Sequence, residues 1–257
     1  SPDGRWIGFF ADGKLKKISV AGGAPVVLCD ATNPRGGTWM ADNSIVFAPS
    51  PASVLLRVPA AGGTPTPVST LDRQLNEASH RWPHALPGGH AIVYAAGPTV
   101  TAREWIEAHI VAQSLDTGRR VEVAPHRTFP RFAPSGHLLY VQSGIVYAQA
   151  FDSDRFDVTG DAFPVLTRTT ATAGTNGGSV QWTTSSNGVM AFVPGFDREA
   201  QLVLVDRAGA ERALQPAGVY YGGPGPSPDG RQVAVTIAGA VDSEVWVHDI
   251  ARGTSSK

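Results

Sequence analysis

Cysteine is nearly missing from this chain. Cys29 is the single one in 257 residues, so neither an internal disulfide framework nor a zinc site built from several thiolates is available. An oxidising compartment is not excluded by that count. A basic excess is missing too: Lys and Arg total 21 against 22 Asp and Glu, for a net charge of −1, which argues against nucleic acid as a partner. No stretch reaches the roughly 18 consecutive apolar residues of a membrane-spanning helix, so no membrane segment is expected in these residues. Nor is there a basic start followed by an apolar run. No segment holds a helical period for long, and glycine (29) with proline (20) makes up close to a fifth of the chain. Those residues break helices and serve turns, which argues against a helical bundle. What is present is 42% hydrophobic residues, enough for a real core.

The chain repeats itself. Ser1, Pro2, Asp3, Gly4 recur unchanged as Ser227, Pro228, Asp229, Gly230, and degenerate copies stand at 40–43, 86–89, 133–136 and 185–188. The spacing of roughly 39 to 52 residues suits a four-stranded propeller blade. Proline presets φ, Asp or Asn bonds its own backbone, and glycine accepts positive φ, so each tetrad is a hairpin turn. An apolar strand follows each, then a second strand: Leu15 to Val20, Leu55 to Val58, Ile110 to Ser114, Val146 to Phe151, Leu202 to Asp206 and Val245 to Asp249. Just before the turns lie short segments with an aromatic residue, Trp39, Trp82, Phe132 and Trp182, read as innermost strands whose aromatics pack between blades.

The expected fold is therefore all-β, a single β-propeller domain over 1–257 with about six four-stranded blades. Its repeats are 1–31, 32–72, 73–125, 126–168, 169–214 and 215–257. The first lacks an inner strand, and the last is expected to stop at Lys257 where its outer strand would start. Because it begins inside a turn motif, the chain is expected to be a piece of a longer one.

These turns, each followed by an apolar strand and then a strand ending near Asp206 or Asp249, resemble the TolB-type, WD-like propeller repeat of bacteria. The stretches Ser1 to Asp30, Arg35 to Thr38, Arg57 to Pro67, Ser79 to Pro83 and Phe151 to Val165 are similar to the propeller that follows the kinase domain in some bacterial, particularly acidobacterial, serine/threonine kinases. The resemblance covers nearly the whole chain. It implies an extracytoplasmic, periplasmic sensing or interaction module in a signalling protein, with any kinase domain elsewhere. Nothing in these residues matches a kinase: there is no phosphate loop and no His-Arg-Asp catalytic loop.

Motifs for independent chemistry are also missing, namely G-x-S-x-G, H-E-x-x-H, a phosphate loop and C-x-x-C. Gly222 to Gly225 is interrupted by Pro224 and lacks the helix of a dinucleotide fingerprint. The densest ionisable cluster is Ser79, His80, Arg81, Trp82, Pro83, His84. In a regular strand His80 and His84 share a face, where they would begin a zinc or copper site or supply a base. The stronger reading has His80 and Arg81 pairing across a seam between blades, with Glu77 as local acceptor. Asp152, Asp154, Asp157 and Asp161 fail the spacing of a calcium loop and read as a solvated hairpin. Arg119 and Arg120 read the same way, and Cys29 as a buried, inert thiol. Trp105 sits in an insertion, covering its blade or making a loop-borne contact. No cofactor or metal is expected.

Propellers bind at the channel mouth, on loops joining one blade's outer strand to the next blade's inner strand. Those loops carry Asn33, Arg35, Glu77, His80, Arg127, Asn176, Tyr220 and Tyr221 as candidate ligand-binding residues. The expected function is non-catalytic binding or sensing of a protein or small polar ligand. A channel-centred hydrolase or lyase is the alternative, and a structural spacer the third reading.

Overall fold

Both Ser-Pro-Asp-Gly turns close through the same bonds in the computed structural model. The Asp3 carboxylate takes the Ser1 hydroxyl and the Arg5 amide, and the Ser1 Oγ accepts from the Trp6 amide. Asp229 takes the Ser227 hydroxyl at 2.6 Å and the Arg231 amide at 3.1 Å, while the Ser227 Oγ accepts from the Gln232 amide. Gly4 and Gly230 sit at φ 68° and 66°, as the turn requires.

The structure describes residues 1–98, 105, 107–166, 182–184, 189–192, 199–200, 202–205, 207–214, 218–219, 225–238 and 243–257. They divide into two units, Ser1–Gly195 and Phe196–Lys257. In the first, β1 (Trp6–Ala11), β2 (Lys14–Ser19) and β3 (Val26–Asp30) form a three-stranded sheet. Next come β4 (Gly37–Trp39), β5 (Ser44–Phe47), β6 (Leu56–Pro59) and β7 (Thr66–Pro67), a four-stranded meander. The third sheet is β8 (Ser79–Ala85), β9 (Ala91–Gly97), β10 (His109–Ser114) and β11 (Arg120–Ala124). The fourth is β12 (Thr128–Ala133), β13 (His137–Gln142), β14 (Ile145–Asp152) and β15 (Asp157–Leu166), followed by the pair β16 (Trp182–Thr184) and β17 (Met190–Phe192).

In the second unit, β18 (Glu199–Ala200) pairs with β21 (Gly218–Val219), and β19 (Val203–Val205) with β20 (Glu211–Ala213). Its last sheet runs β22 (Gly225–Pro226), β23 (Gln232–Ala238), β24 (Ser243–Asp249) and β25 (Thr254–Ser256). All strand pairs are antiparallel, and the described residues hold no α-helix. The all-β expectation holds, and the first sheet lacks an inner strand as expected. The last sheet does not: β25 supplies the outer strand that the sequence reading left out, because Thr254–Ser256 is short, polar and exposed and shows no apolar alternation. The turn copy at 185–188 lies outside the described residues.

Within the first unit the inner strands stand side by side, β4 against β8, β8 against β12, β12 against β16. Each seam between neighbouring sheets has its own core. Leu15, Leu28, Ile45, Phe47 and Val58 fill the first, and Met40, Val46, Leu55, Ile92, Tyr94 and Val111 the second. β9 shows how one strand serves two seams: Ile92, Tyr94 and Ala96 enter one core while Ala91 and Val93 enter another, with every residue of the strand buried. The expectation that inner-strand aromatics pack between blades is met by Trp82 and Trp182, which share a core with Phe129 and Trp105.

A backbone kink recurs on the inner strands. On β8, Trp82 and Pro83 oppose one residue of β9, and on β12, Phe129 and Pro130 oppose one residue of β13; Trp82 and Phe129 adopt φ of 51° and 55°. Gly36, just before β4, holds the same place at φ +89°. A Cβ on Gly36 would stand 3.0 Å from Trp82 Cδ1 and 3.1 Å from Trp82 Cα. Gly36→Ala therefore adds a steric conflict to the conformational one and is expected to cost at least about 2 kcal/mol. Gly22→Ala, at φ +93° with nothing within 4 Å, costs only the conformational part. Urea denaturation of the two variants measures the difference.

Candidate functional site

Glu77 sits at the end of the connector from β7 to β8, and its carboxylate is fully buried. The connector folds on itself: Asp72 Oδ1 accepts the Gln74 and Leu75 amides, and the Glu77 amide donates to the Asp72 carbonyl at 3.0 Å. Four donors converge on the carboxylate. Oε2 accepts the Asp72 amide at 2.7 Å and His80 Nε2 at 3.0 Å, while Oε1 accepts His109 Nε2 at 2.9 Å and an Arg120 guanidinium nitrogen. That fills the acceptor capacity of an ionised carboxylate. Burial pushes the Glu77 carboxyl up, but the bonds from His109, His80, Asp72 and Arg120 reverse this and hold it well below the usual range.

His80 is saturated as well. Its Nδ1 lies 2.7 Å from Ser69 Oγ, whose oxygen also accepts the Leu55 amide at 2.8 Å. Ser69 thus has its hydrogen for Nδ1, and the imidazole is the neutral tautomer with its proton on Nε2, donated to Glu77. Burial lowers the His80 pKa by more than the bond and charge of Glu77 restore. The Tyr94 ring lies 4.7 Å from the imidazole, its hydroxyl donates to Gln113 at 2.9 Å, and Gln113 Nε2 donates to the Val68 carbonyl.

Outside this network the connector borders an open groove of about 790 Å3. Ser69, Asp72, Arg73 and Gln74 line one side and Gln113 and Arg120 the other. Arg120 is thus shared, with one face toward Glu77 and one toward the groove. Arg73 and Gln74 are exposed.

The candidate residues divide into groups. Glu77 and His80 are in direct contact. Asn33 and Arg35 are also together, Arg35 donating to Asn33 Oδ1 at 2.6 Å. Arg127 stands apart, its guanidinium 4.7 Å from the Tyr140 ring centroid. Asn176, Tyr220 and Tyr221 lie outside the described residues, as does most of Gly222 to Gly225. Sequence reasoning missed His109, Ser69, Tyr94 and Gln113, which no local motif marks. Arg120 is corrected outright: it is a half-buried ion-pair partner of the buried Glu77 carboxylate and not simply part of a solvated hairpin.

The shared face for His80 and His84 is corrected too. His80 opposes Ala96 and His84 opposes Val93, because the Trp82–Pro83 bulge adds one residue and sends the two rings to opposite faces. Burial and then the Arg131 charge lower the His84 pKa to about 3, against a hydrogen bond to the Phe132 backbone. Among the described residues no group of three His, Cys, Asp or Glu side chains is placed to hold a metal ion. Asp152 spends its carboxylate on the Asp154 and Arg155 amides of its own turn. Trp105 is buried against Trp82 and under Arg81, and Cys29 is half-buried rather than buried, with its thiol pKa raised by burial and then Asp30.

No protein-family model and no curated protein matches the chain. Solved structures do. TolB from Acinetobacter baumannii aligns at a TM-score of 0.52 and 14% identity over 94% of this chain, which spans 58% of that one. A gluconolactonase from Xanthomonas campestris aligns at 0.56 and 14%, covering 91% and 80% of the two chains. The calcium-binding regucalcin from Agrobacterium tumefaciens aligns at 0.53 and 15%, covering 92% and 79%. Identities this low carry the fold alone. The chain is a β-propeller, similar in fold to TolB and to gluconolactonase-type propellers.

Removing the carboxylate would leave Arg120 and two imidazoles facing a void. Glu77→Ala is expected to destabilise the protein by about 3–5 kcal/mol, and Glu77→Gln by less, in chemical denaturation at pH 7. A second expectation concerns acid. His80 and His84 have folded pKa values below the unfolded value of about 6.5, so the unfolded chain binds the extra protons. Their contribution is complete above pH ~6.5 and is lost progressively as pH falls; Glu77 adds its own loss only below about pH 4.5. Denaturation midpoints should drop between pH 7 and 5, and the drop should be smaller in His84→Gln.

Proposed function

We propose that the chain is a non-catalytic propeller module that binds a protein or small polar ligand. One observation carries this reading: the ionisable groups best placed for chemistry are consumed by one another. Glu77 accepts four hydrogen bonds, both nitrogens of His80 are engaged, and the carboxylate stays ionised far below neutral pH. General acid-base chemistry needs a group free to exchange a proton near the working pH. What the network leaves accessible is the polar groove beside it, walled by a connector of the kind propellers use for recognition.

The hydrolase or lyase alternative would need an unengaged nucleophile, base or metal-ligand trio, and Glu77 and His80 do not supply one. The fold shared with the Xanthomonas campestris gluconolactonase does not bring that activity with it. A role within a bacterial signalling protein, in the periplasm, is part of the proposal. It is supported by the resemblance to kinase-linked propellers and by the fold shared with TolB. No helix among the described residues is long and apolar enough to cross a membrane.

Purified protein should show no turnover of lactones, esters or uronides that depends on these side chains, with or without divalent metals. Turnover abolished in a folded His80→Gln variant would overturn the reading. A thermal-shift screen of small polar compounds should yield ligands whose stabilisation is lost in Arg73→Ser and Gln74→Ser, both exposed positions whose replacement leaves the fold intact.

A further inference from the structure

Three arginines, Arg57, Arg73 and Arg120, line the groove beside Glu77, against a single acid, Asp72. Two of them are already engaged from behind. Arg120 gives one guanidinium nitrogen to the buried Glu77 carboxylate and holds another 3.9 Å from Asp72 Oδ2. Arg57 donates from Nε to Ser44 Oγ at 2.8 Å and pairs with Asp42, which does not line the groove. The carboxylates that answer these two cations therefore stand outside the groove, while the cations border it.

Arg73 differs from both. It is exposed, and among the described residues its guanidinium has no acceptor, ion-pair partner or ring contact. The connector also turns its own carbonyls inward there: the Asp72 and Arg73 carbonyls accept the Glu77 and Asn76 amides at 3.0 and 3.3 Å, and Asp72 Oδ1 is spent on the Gln74 and Leu75 amides. What Arg73 keeps for the groove is a donor of either kind, its main-chain amide and its guanidinium fork. The fork matches the oxygens of a carboxylate or phosphoryl group, and a concave wall lined by one sign of charge concentrates ligands of the other. Arg73 is also held in advance, because the neighbouring Asp72 amide is fastened to Glu77 at 2.7 Å, so less order has to be imposed on binding. The volume, about 790 Å3, is that of a small-molecule site, and Leu71 and Leu115 add apolar surface to it.

We propose that the groove receives a small organic anion, its carboxylate or phosphoryl group held by Arg73 within the positive field of Arg57 and Arg120, and its carbon skeleton against Leu71 and Leu115. This rests on the binding-module reading and gives that site a ligand class.

The test is thermal unfolding of the intact chain in sodium citrate and, separately, sodium phosphate, each against sodium chloride at matched ionic strength, with glucose as the uncharged probe. At ten times the dissociation constant, citrate, phosphate or both should raise Tm by about 3–5 °C and then level off, whereas the general salting effect of these anions climbs without saturating. Arg73→Gln, at an exposed position, should unfold in chloride like the unaltered chain and weaken the apparent anion affinity by at least about tenfold, and Arg73→Glu should abolish the rise. Arg5→Gln removes an exposed arginine that does not line the groove and should leave the rise intact. No saturable rise with either anion, or an equal rise in Arg73→Glu, would overturn the anionic class. If the anions fail while glucose gives a saturable rise that Gln74→Ser removes, the anionic class alone falls; if neither gives one, the binding-module reading falls with it.

Discussion

The buried carboxylate of Glu77 gathers donors from the connector at Asp72, from β8 at His80, from the start of β10 at His109 and from the start of β11 at Arg120. One negative charge therefore fixes three strands of the third repeat against the end of the second. Taking a carboxylate out of water costs several kcal/mol, and only a full set of donors, one of them a guanidinium, returns that cost. The same completeness makes the cluster inert. A group with every lone pair engaged and a pKa far from neutrality holds a scaffold in place and does not move protons. The groove beside it inherits a rigid wall.

The inner-strand kink is the second organising feature. A left-handed residue opens a two-against-one bulge, which flips the facing of everything beyond it. That flip parts His80 from His84 and dissolves the metal-site reading. It also sets Arg35 and Arg81 at matching places and turns Trp82 and Phe129 toward each other, with ring centroids 5.6 Å apart. Aromatic residues pay for this backbone geometry, and the core that holds Trp82, Trp105, Phe129 and Trp182 offsets it.

Much of the fold was legible because turns are local. Ser227 to Gly230 carries its proline, its aspartate and its glycine in four consecutive residues, and the bonds it makes are the bonds those residue types make anywhere. β25 was missed because Thr254–Ser256 is a polar outer strand whose only signal is its partner. Half of the Glu77 site was legible, since Glu77 and His80 are three residues apart. His109 and Arg120 were not, because they arrive through strand pairing across the sheet, and Arg120 beside Arg119 in a Gly-containing hairpin looks the same whether it faces water or a buried carboxylate. Bulge position was likewise hidden: Trp82–Pro83 and Phe129–Pro130 share the pattern of aromatic followed by proline, but proline alone does not say that the residue before it turns left-handed.

The account makes the propeller a binding scaffold whose most conspicuous ionisable cluster is a fastening. Long-range proton–nitrogen NMR of the histidine rings tests that claim most directly, because it reads protonation and tautomer residue by residue. His80 should be neutral, with its proton on Nε2, and should keep those nitrogen shifts from about pH 8 down to about pH 5.5, below the ordinary histidine midpoint. A His80 ring that titrates near pH 6.5, or that carries its proton on Nδ1, would contradict the account.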